Sequence, residues 1–218
     1  LCYINFWSKD NRMMKEWLFF PAGANAIEAL TCLGVRDRLL GFVDDAADKQ
    51  SSPLLGYPVW GREALEIYPQ AQVLAVQASP NSFRQRQKIV ESLAIPPARY
   101  GTLIHPTAQV SPHSHIGHNC LLMAGVVIMP GVHLGNHIIV LPYTVLHHDV
   151  LVEDYTWIGS HCVVAGGVRL GRQVWLGSGS RILQNRTIGA DAMIGLGSNV
   201  IDDVPQGATV AGNPAKGL

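Results

Sequence analysis

From Ile104 onward, every sixth residue is aliphatic without a break. The series runs Ile104, Val110, Ile116, Leu122, Ile128, Leu134, Val140, Leu146, Val152, Ile158, Val164, Leu170, Leu176, Ile182, Ile188, Ile194 and Val200. Two residues before each of these lies a second regular position, mostly small or β-branched, including Ala108, Ser114, Cys120, Val126, Thr144, Val150, Cys162, Val168 and Ser198; Ile138 and Arg186 are its misfits. Spacing of two with β-branched enrichment is the signature of a short strand that points alternate side chains inward. The residue after the aliphatic is often glycine, as at Gly117, Gly135, Gly159, Gly171, Gly177, Gly189 and Gly195, which predicts a corner after each strand. Short strand, corner, short strand describes a parallel solenoid whose core is a ladder, each turn burying the aliphatics of its neighbours. With no insertion from Ile104 to Val200, no long loop is expected to leave it.

The first hundred residues read differently. EWLFFP (16–21) predicts a strand, 24–33 a helix, LLGFVDD (39–45) a strand, 73–76 a strand and 83–93 a helix. Alternating strands and helices imply a small parallel α/β sheet. Ligands of such sheets sit at the carboxyl ends of the strands, so the loop Pro21-Ala22-Gly23-Ala24-Asn25 and the strand end Asp44-Asp45 point to one edge. Backbone amides at the start of the helix could hold a phosphate there, and Asp44 or Asp45 could accept a hydrogen bond from a ribose or base. On residues alone the competing reading is a solvated turn, because one glycine is a weaker signal than a full glycine-rich fingerprint. The expected division is an α/β domain over 13–100 and an all-β solenoid over 101–218.

Bulk properties narrow the partners. The 218 residues carry 16 basic and 16 acidic side chains, with no basic stripe to follow a phosphate backbone and no apolar run long enough to span a bilayer. Neither nucleic acid nor a membrane is an expected partner. Cys2, Cys32, Cys120 and Cys162 show no metal-type or disulfide-framework spacing, which fits reduced thiols in the cytoplasm. Residues 1–12 precede Met13 and Met14 and are set aside from fold reasoning.

The hexad is similar to the [LIV]-[GAED]-x-x-[STAV]-x pattern of hexapeptide acyltransferases, a resemblance that implies a left-handed parallel β-helix of 18-residue coils, against the usual right-handed crossover rule. Together with FVDD, Gly56-Tyr57-Pro58-Val59-Trp60-Gly61, Leu103-Ile104-His105-Pro106-Thr107-Ala108, His148-Asp149 and Gly212-Asn213-Pro214-Ala215-Lys216, the chain resembles the bacterial sialic-acid O-acetyltransferase and nucleotide 4-amino-sugar N-acetyltransferase family. The resemblance runs from Met14 to Lys216 and implies a homotrimer, a sugar-nucleotide-binding N-terminal domain and acetyl-CoA bound between adjacent subunits. It departs where the family commonly has Gly-His and this chain has Ala24-Asn25, where an Asn-Thr pair gives way to Leu141-Pro142, and where a histidine of some members is Trp157. All three lie on the acceptor side. The expected substrate-binding residues are therefore Gly23, Asn25, Asp44, Asp45, Leu141 and Trp157.

In Leu146-His147-His148-Asp149-Val150 the inward positions are Leu146 and Val150, so His148 projects outward. The family's catalytic histidine maps to His148, with Asp149 as the carboxylate that orients it; by sequence alone His147 is the rival. An imidazole, with an ordinary pKa of about 6.5, can accept the proton that an amine or hydroxyl loses as it attacks a thioester. One coil beyond His148 stands Gly166, where the family's acetyl-CoA-contacting glycine maps and where an accessible N–H could hold the oxyanion; the competing reading of Gly166-Gly167 is a plain corner. For the coenzyme the expectation is backbone around Gly177, Ser178, Gly195 and Leu196, with Lys216 for phosphate or as a cap of the open end.

All nine histidines fall between His105 and His161. That invites a zinc enzyme, but only His115 and His133 stand one coil apart, so no metal is expected. A non-catalytic scaffold is the other rival, and the His148-Asp149 pair opposes it. Between amine and hydroxyl acceptors the α/β domain favours the amine of a nucleotide-linked 4-amino-4,6-dideoxy sugar, since free sialic acid carries no nucleotide to hold.

Overall fold

A computed structural model describes residues 14–218. Cys2 and the expected boundary at residue 13 lie outside the described residues. The chain opens with β1 (Glu16–Phe20), α1 (Ala24–Ala29), β2 (Arg38–Val43), β3 (Val59–Trp60), α2 (Ala64–Ile67), β4 (Gln72–Ala75) and α3 (Arg86–Glu91). Four strands pair in the order β3-β2-β1-β4, all parallel. Both expected helices are shorter than their sequence pattern. The first turns into a tighter 3₁₀ segment at Leu30–Cys32, and the second begins as one at Phe83–Gln85. β2 stops at Val43, leaving Asp44 and Asp45 beyond its end. β3 and α2 are too short to carry a hydrophobic period and gave no sequence signal.

Residues 103–217 form a three-sided prism. The first face holds eight strands, beginning with Leu103–Ile104, Leu121–Leu122 and Ile139–Val140 and ending in a hairpin of Thr209–Gly212 with Ala215–Gly217. The second holds six, from Gln109–Val110 to Asn199–Val200, and the third five, from His115–Ile116 to Thr187–Ile188. Pairing is parallel and uninterrupted, as in Trp157 opposite Trp175, Val145 opposite Val163 and His133 opposite Leu151. Leu122, Leu134, Val140, Leu146, Ile158 and their counterparts make one continuous buried column. Hydroxyls that fall in this column are satisfied across coils: Thr144 Oγ1 donates to the Gly159 carbonyl at 2.6 Å and accepts from the Cys162 N–H at 3.0 Å. Ile138 packs within the same core, whereas Arg186 turns outward and lies 3.8 Å from Asp203.

The corners correct one sequence expectation. The residue that turns the chain is the third after each aliphatic from Ile116 to Ile194, with positive φ at Asn119, Gly125, Gly131, His137, Tyr143, Asp149, Tyr155, His161 and onward to Gly197. The glycine that follows the aliphatic has a different purpose. A Cβ on Gly117 would lie 2.4 Å from the Gly135 carbonyl, and one on Gly171 2.6 Å from the Ala190 nitrogen. These glycines let successive coils approach; they do not bend the chain.

The α/β sheet docks on the prism in two ways. One face of it, with α1, packs Trp17, Phe19, Leu74 and Ala26 against the outward side chains of the first face, Leu121, Ile139 and Trp157. Beside this, the left-handed residues of the third-to-first corner reach across in successive coils. The Asn119 amide accepts from Ala75 N–H at 2.8 Å and donates to Ala75 carbonyl at 3.0 Å, so it pairs with the edge of β4 as a strand would. Arg86, buried in the junction, donates to the His137 carbonyl and to the Gln77 carbonyl, Tyr155 donates to Glu91, and Gln173 accepts from the Gln87 N–H at the start of α3.

Candidate active site

His148 and Asp149 occupy the second-to-third corner, and 68% of the imidazole side chain is open to solvent. Positive φ at Asp149 belongs to the corner, and aspartate tolerates that conformation better than most residues. Its Oδ2 lies 2.9 Å from His148 Nδ1. With Nδ1–H donating to the carboxylate, Nε2 is left as the proton acceptor. A glycine lies on each side of the pair. Below, a Cβ on Gly166 would come within 2.5 Å of His148 Nε2; above, one on Gly131 would come within 2.2 Å of Asp149 Oδ1. Both positions are therefore cleared for the two side chains. Gly131 was not singled out in the sequence, although stepping back one coil from Asp149 reaches it. His147 lies on the second face, and no carboxylate pairs with it among the described residues.

The backbone separates usable donors from spent ones. The N–H groups of Gly177 and Gly195 are taken by the carbonyls of Ile194 and Val210 in the coil-to-coil ladder. Those of Gly166, Ser178 and Leu196 have no partner among the described residues. Gly166 therefore sets its Cα against the imidazole and keeps an N–H outside the ladder, a group that an oxyanion site could use. Gly177, Ser178, Gly195 and Leu196 all lie at the first-to-second corner, on the opposite edge of the second face from His148. Leu196 is 77% exposed, and Lys216 stands exposed in the closing hairpin.

At the carboxyl edge of the α/β sheet, Gly23 faces open space and Asn25 Nδ2 donates to the Val76 carbonyl at 3.1 Å. Asp44 is buried, accepting from Ala46 N–H and from Lys49 Nζ at 2.8 Å, and the same ammonium donates to the Ala22 carbonyl at 2.9 Å. Asp45 is gripped by Arg62 at 2.6 and 2.8 Å, and that guanidinium holds its carboxyl below the usual range. Both aspartates are thus already paired, and Lys49, which sequence reasoning passed over, is the group that stands between Asp44 and solvent. Leu141 is half-buried against the junction core. Trp157 is buried there too, its ring stacked on Trp175 at 3.7 Å.

Other candidate chemistry is sparse. Burial raises the thiols of Cys32, Cys120 and Cys162 to about 11, about 12 and about 11. The rings of His115 and His133 stack at 4.4 Å on the third face. Among the described residues no three His, Cys, Asp or Glu side chains come together to hold a metal, and no helix is long and apolar enough to cross a membrane.

A family profile described as bacterial transferase hexapeptide (six repeats) matches residues 113–148. No curated protein sequence matches the chain. Among solved structures, the acetyltransferase domain of PglB from Neisseria gonorrhoeae, in complex with acetyl coenzyme A, is 30% identical over 95% of this chain and 100% of its own, with a TM-score of 0.82. The chain belongs to the nucleotide-amino-sugar and sialic-acid acetyltransferase family of left-handed β-helix hexapeptide enzymes. PerB from Caulobacter crescentus, in complex with CoA and GDP-perosamine, is 29% identical to this acyltransferase over 94% of it and 97% of PerB, with a TM-score of 0.80. A histidine-to-alanine mutant of GDP-perosamine N-acetyltransferase from the same organism, also with CoA and GDP-perosamine, is 28% identical over 94% and 96%, with a TM-score of 0.81.

Proposed function

We propose that the enzyme transfers acetyl from acetyl-CoA to the amine of a nucleotide-linked 4-amino-4,6-dideoxy sugar, in bacterial surface glycan biosynthesis in the cytoplasm. One observation carries the reading: an outward His148-Asp149 pair whose imidazole Nε2 packs against the Cα of Gly166, a residue whose N–H is unused in the coil-to-coil ladder. As the amine attacks the thioester carbonyl, a C–N bond forms and Nε2 takes the amine proton while Asp149 supports the cationic ring. Negative charge on the carbonyl oxygen is met by the Gly166 N–H. Collapse breaks the C–S bond, and the imidazolium returns its proton to the departing thiolate. PglB and PerB, with bound acetyl coenzyme A or CoA and GDP-perosamine, supply the donor and acceptor classes.

Residues 13–100 would hold the sugar nucleotide and 101–218 would perform the transfer. The working unit in this reading is a homotrimer. The dyad edge and the proposed coenzyme edge lie on opposite sides of the second face, so one copy cannot bring them together. A three-fold arrangement with second faces inward sets the His148 edge of one subunit beside the Ser178 and Leu196 edge of the next. That face suits burial: Val127, Val145 and Val163 form an apolar row, flanked by Met129, Leu183 and Ile201 at 39%, 45% and 45% exposure.

Release of CoA thiol, measured with acetyl-CoA against UDP-, dTDP- and GDP-linked 4-amino sugars and free sialic acids, tests the reading. Turnover is expected with at least one nucleotide-linked amine. Turnover of sialic acids alone would replace it with hydroxyl acetylation.

A further inference from the structure

We propose that a cavity at the end of β3 takes the base of the nucleotide and that Glu63 selects guanine. This rests on the sugar-nucleotide reading above and adds the identity of the carrier. In a parallel sheet the ligand lies along the carboxyl ends of the strands, and here those ends present, in spatial order, the loop after β1, Asp44 after β2 and Gly61 after β3. Beside the last of these is a cavity of about 350 Å³ whose lining includes Gln50, Ser51, Ser52, Trp60, Gly61 and Glu63. Gln50 ties its wall to the β2 end by donating to the Asp44 carbonyl at 2.8 Å. The neighbouring Lys49 spans from Asp44 to the Ala22 carbonyl, using two of its three N–H donors. Its side chain is 46% exposed, so the Lys49–Asp44 pair stands between the β1 loop and the cavity with one ammonium donor unused among the described residues, where a diphosphate would pass.

Glu63 supplies the discrimination. Its Oε1 accepts from Gly61 N–H at 2.9 Å, which holds the exposed carboxylate at the rim of this open depression, and Gly61 has no side chain to displace it. An ionised carboxylate only accepts hydrogen bonds and keeps further lone pairs for a ligand. Guanine offers two adjacent donors, N1–H and the N2 amino group, that match its two oxygens. Uracil and thymine offer one N–H between two carbonyl oxygens, which a carboxylate repels. Arg62, the nearest basic side chain in sequence, is held by Asp45 and Ser92.

Binding of GDP, UDP and dTDP to the full-length protein, measured by calorimetry beside thiol release from the matching sugar nucleotides, tests this. GDP is expected to bind at least about tenfold more tightly than the other two, the worth of one charge-assisted hydrogen bond. Glu63→Gln, which adds an amide donor, should narrow that preference by raising KM for the GDP-linked sugar while kcat holds. GDP binding without turnover of any amine would keep the base assignment and overturn the acetyltransfer reading. Equal or tighter binding of UDP or dTDP, failure of all three to bind, or an unchanged preference in Glu63→Gln would overturn the base assignment.

Discussion

The imidazole of His148 lies against the Cα of Gly166 one coil below, so close that a single methyl group would displace it. Gly166→Ala is therefore expected to lower kcat by about 10²-fold, the usual cost of misplacing a reacting group by about 1 Å. The obstructing atoms belong to an exposed ring that can swing into solvent. Stability should thus change by less than about 0.5 kcal/mol, measurable by denaturant unfolding alongside the kinetics.

His148→Ala should lower kcat/KM at neutral pH by about 10²–10⁴-fold. With an amine acceptor the loss should shrink as pH rises, because the amine then sheds its proton unaided. A hydroxyl acceptor would show no such recovery over the same range. Full activity of the variant at neutral pH would remove His148 from the base role.

The second face offers a test of assembly. Val145→Glu places a charge in the middle of the apolar row and should yield monomers by light scattering. Circular dichroism should be unchanged and turnover largely lost. A variant that stays trimeric and active would show that the subunits meet elsewhere.

Acid should loosen the junction between the α/β sheet and the prism. The Asn119 amide is oriented by Ala75, so its nitrogen faces His137 Nδ1 at 2.9 Å and that ring must accept. Burial, Arg86 and His118 lower the His137 pKa to about 3, against about 6.5 in an unfolded chain. The unfolded state takes the proton first, so this contribution is complete above about pH 6.5 and is lost as pH falls toward 3. The loss should reach a few kcal/mol, on the order set by the two pKa values. His137→Phe, which keeps a ring against Tyr155 and leaves Arg86 its backbone carbonyl, should flatten unfolding free energy across that window.

Gly171→Ala tests the corrected role of the corner glycines. The added methyl would meet backbone of the next coil at 2.6 Å, which cannot rotate away. A loss of about 1–3 kcal/mol in unfolding free energy is expected, as for overpacking. An unchanged midpoint would return these glycines to the turning role first assigned to them.

The prism was legible because its signal is periodic: each aliphatic from Ile104 to Val200 repeats the same burial decision, so single misfits such as Arg186 do not obscure it. His148 and Gly166 were reachable by the same arithmetic, since a constant coil length turns sequence separation into contact. The junction with the α/β sheet was not. Asn119, His137, Tyr155 and Gln173 read as ordinary corner residues, and what distinguishes them is a partner from residues 75–91 whose position no local pattern encodes. Asp44 looked available for a ligand for the same reason, because its neutralisation by Lys49 depends on a loop that carries neither period.

No excursion breaks the register of the coils between Ile104 and Val200. Among the described residues, therefore, no loop leaves the prism to fold over the exposed dyad and keep bulk water from the reacting thioester. In the proposed trimer the neighbouring subunit would enclose that chemistry, and specific activity should then fall on dilution, with a concentration dependence that reports how tightly the subunits hold one another.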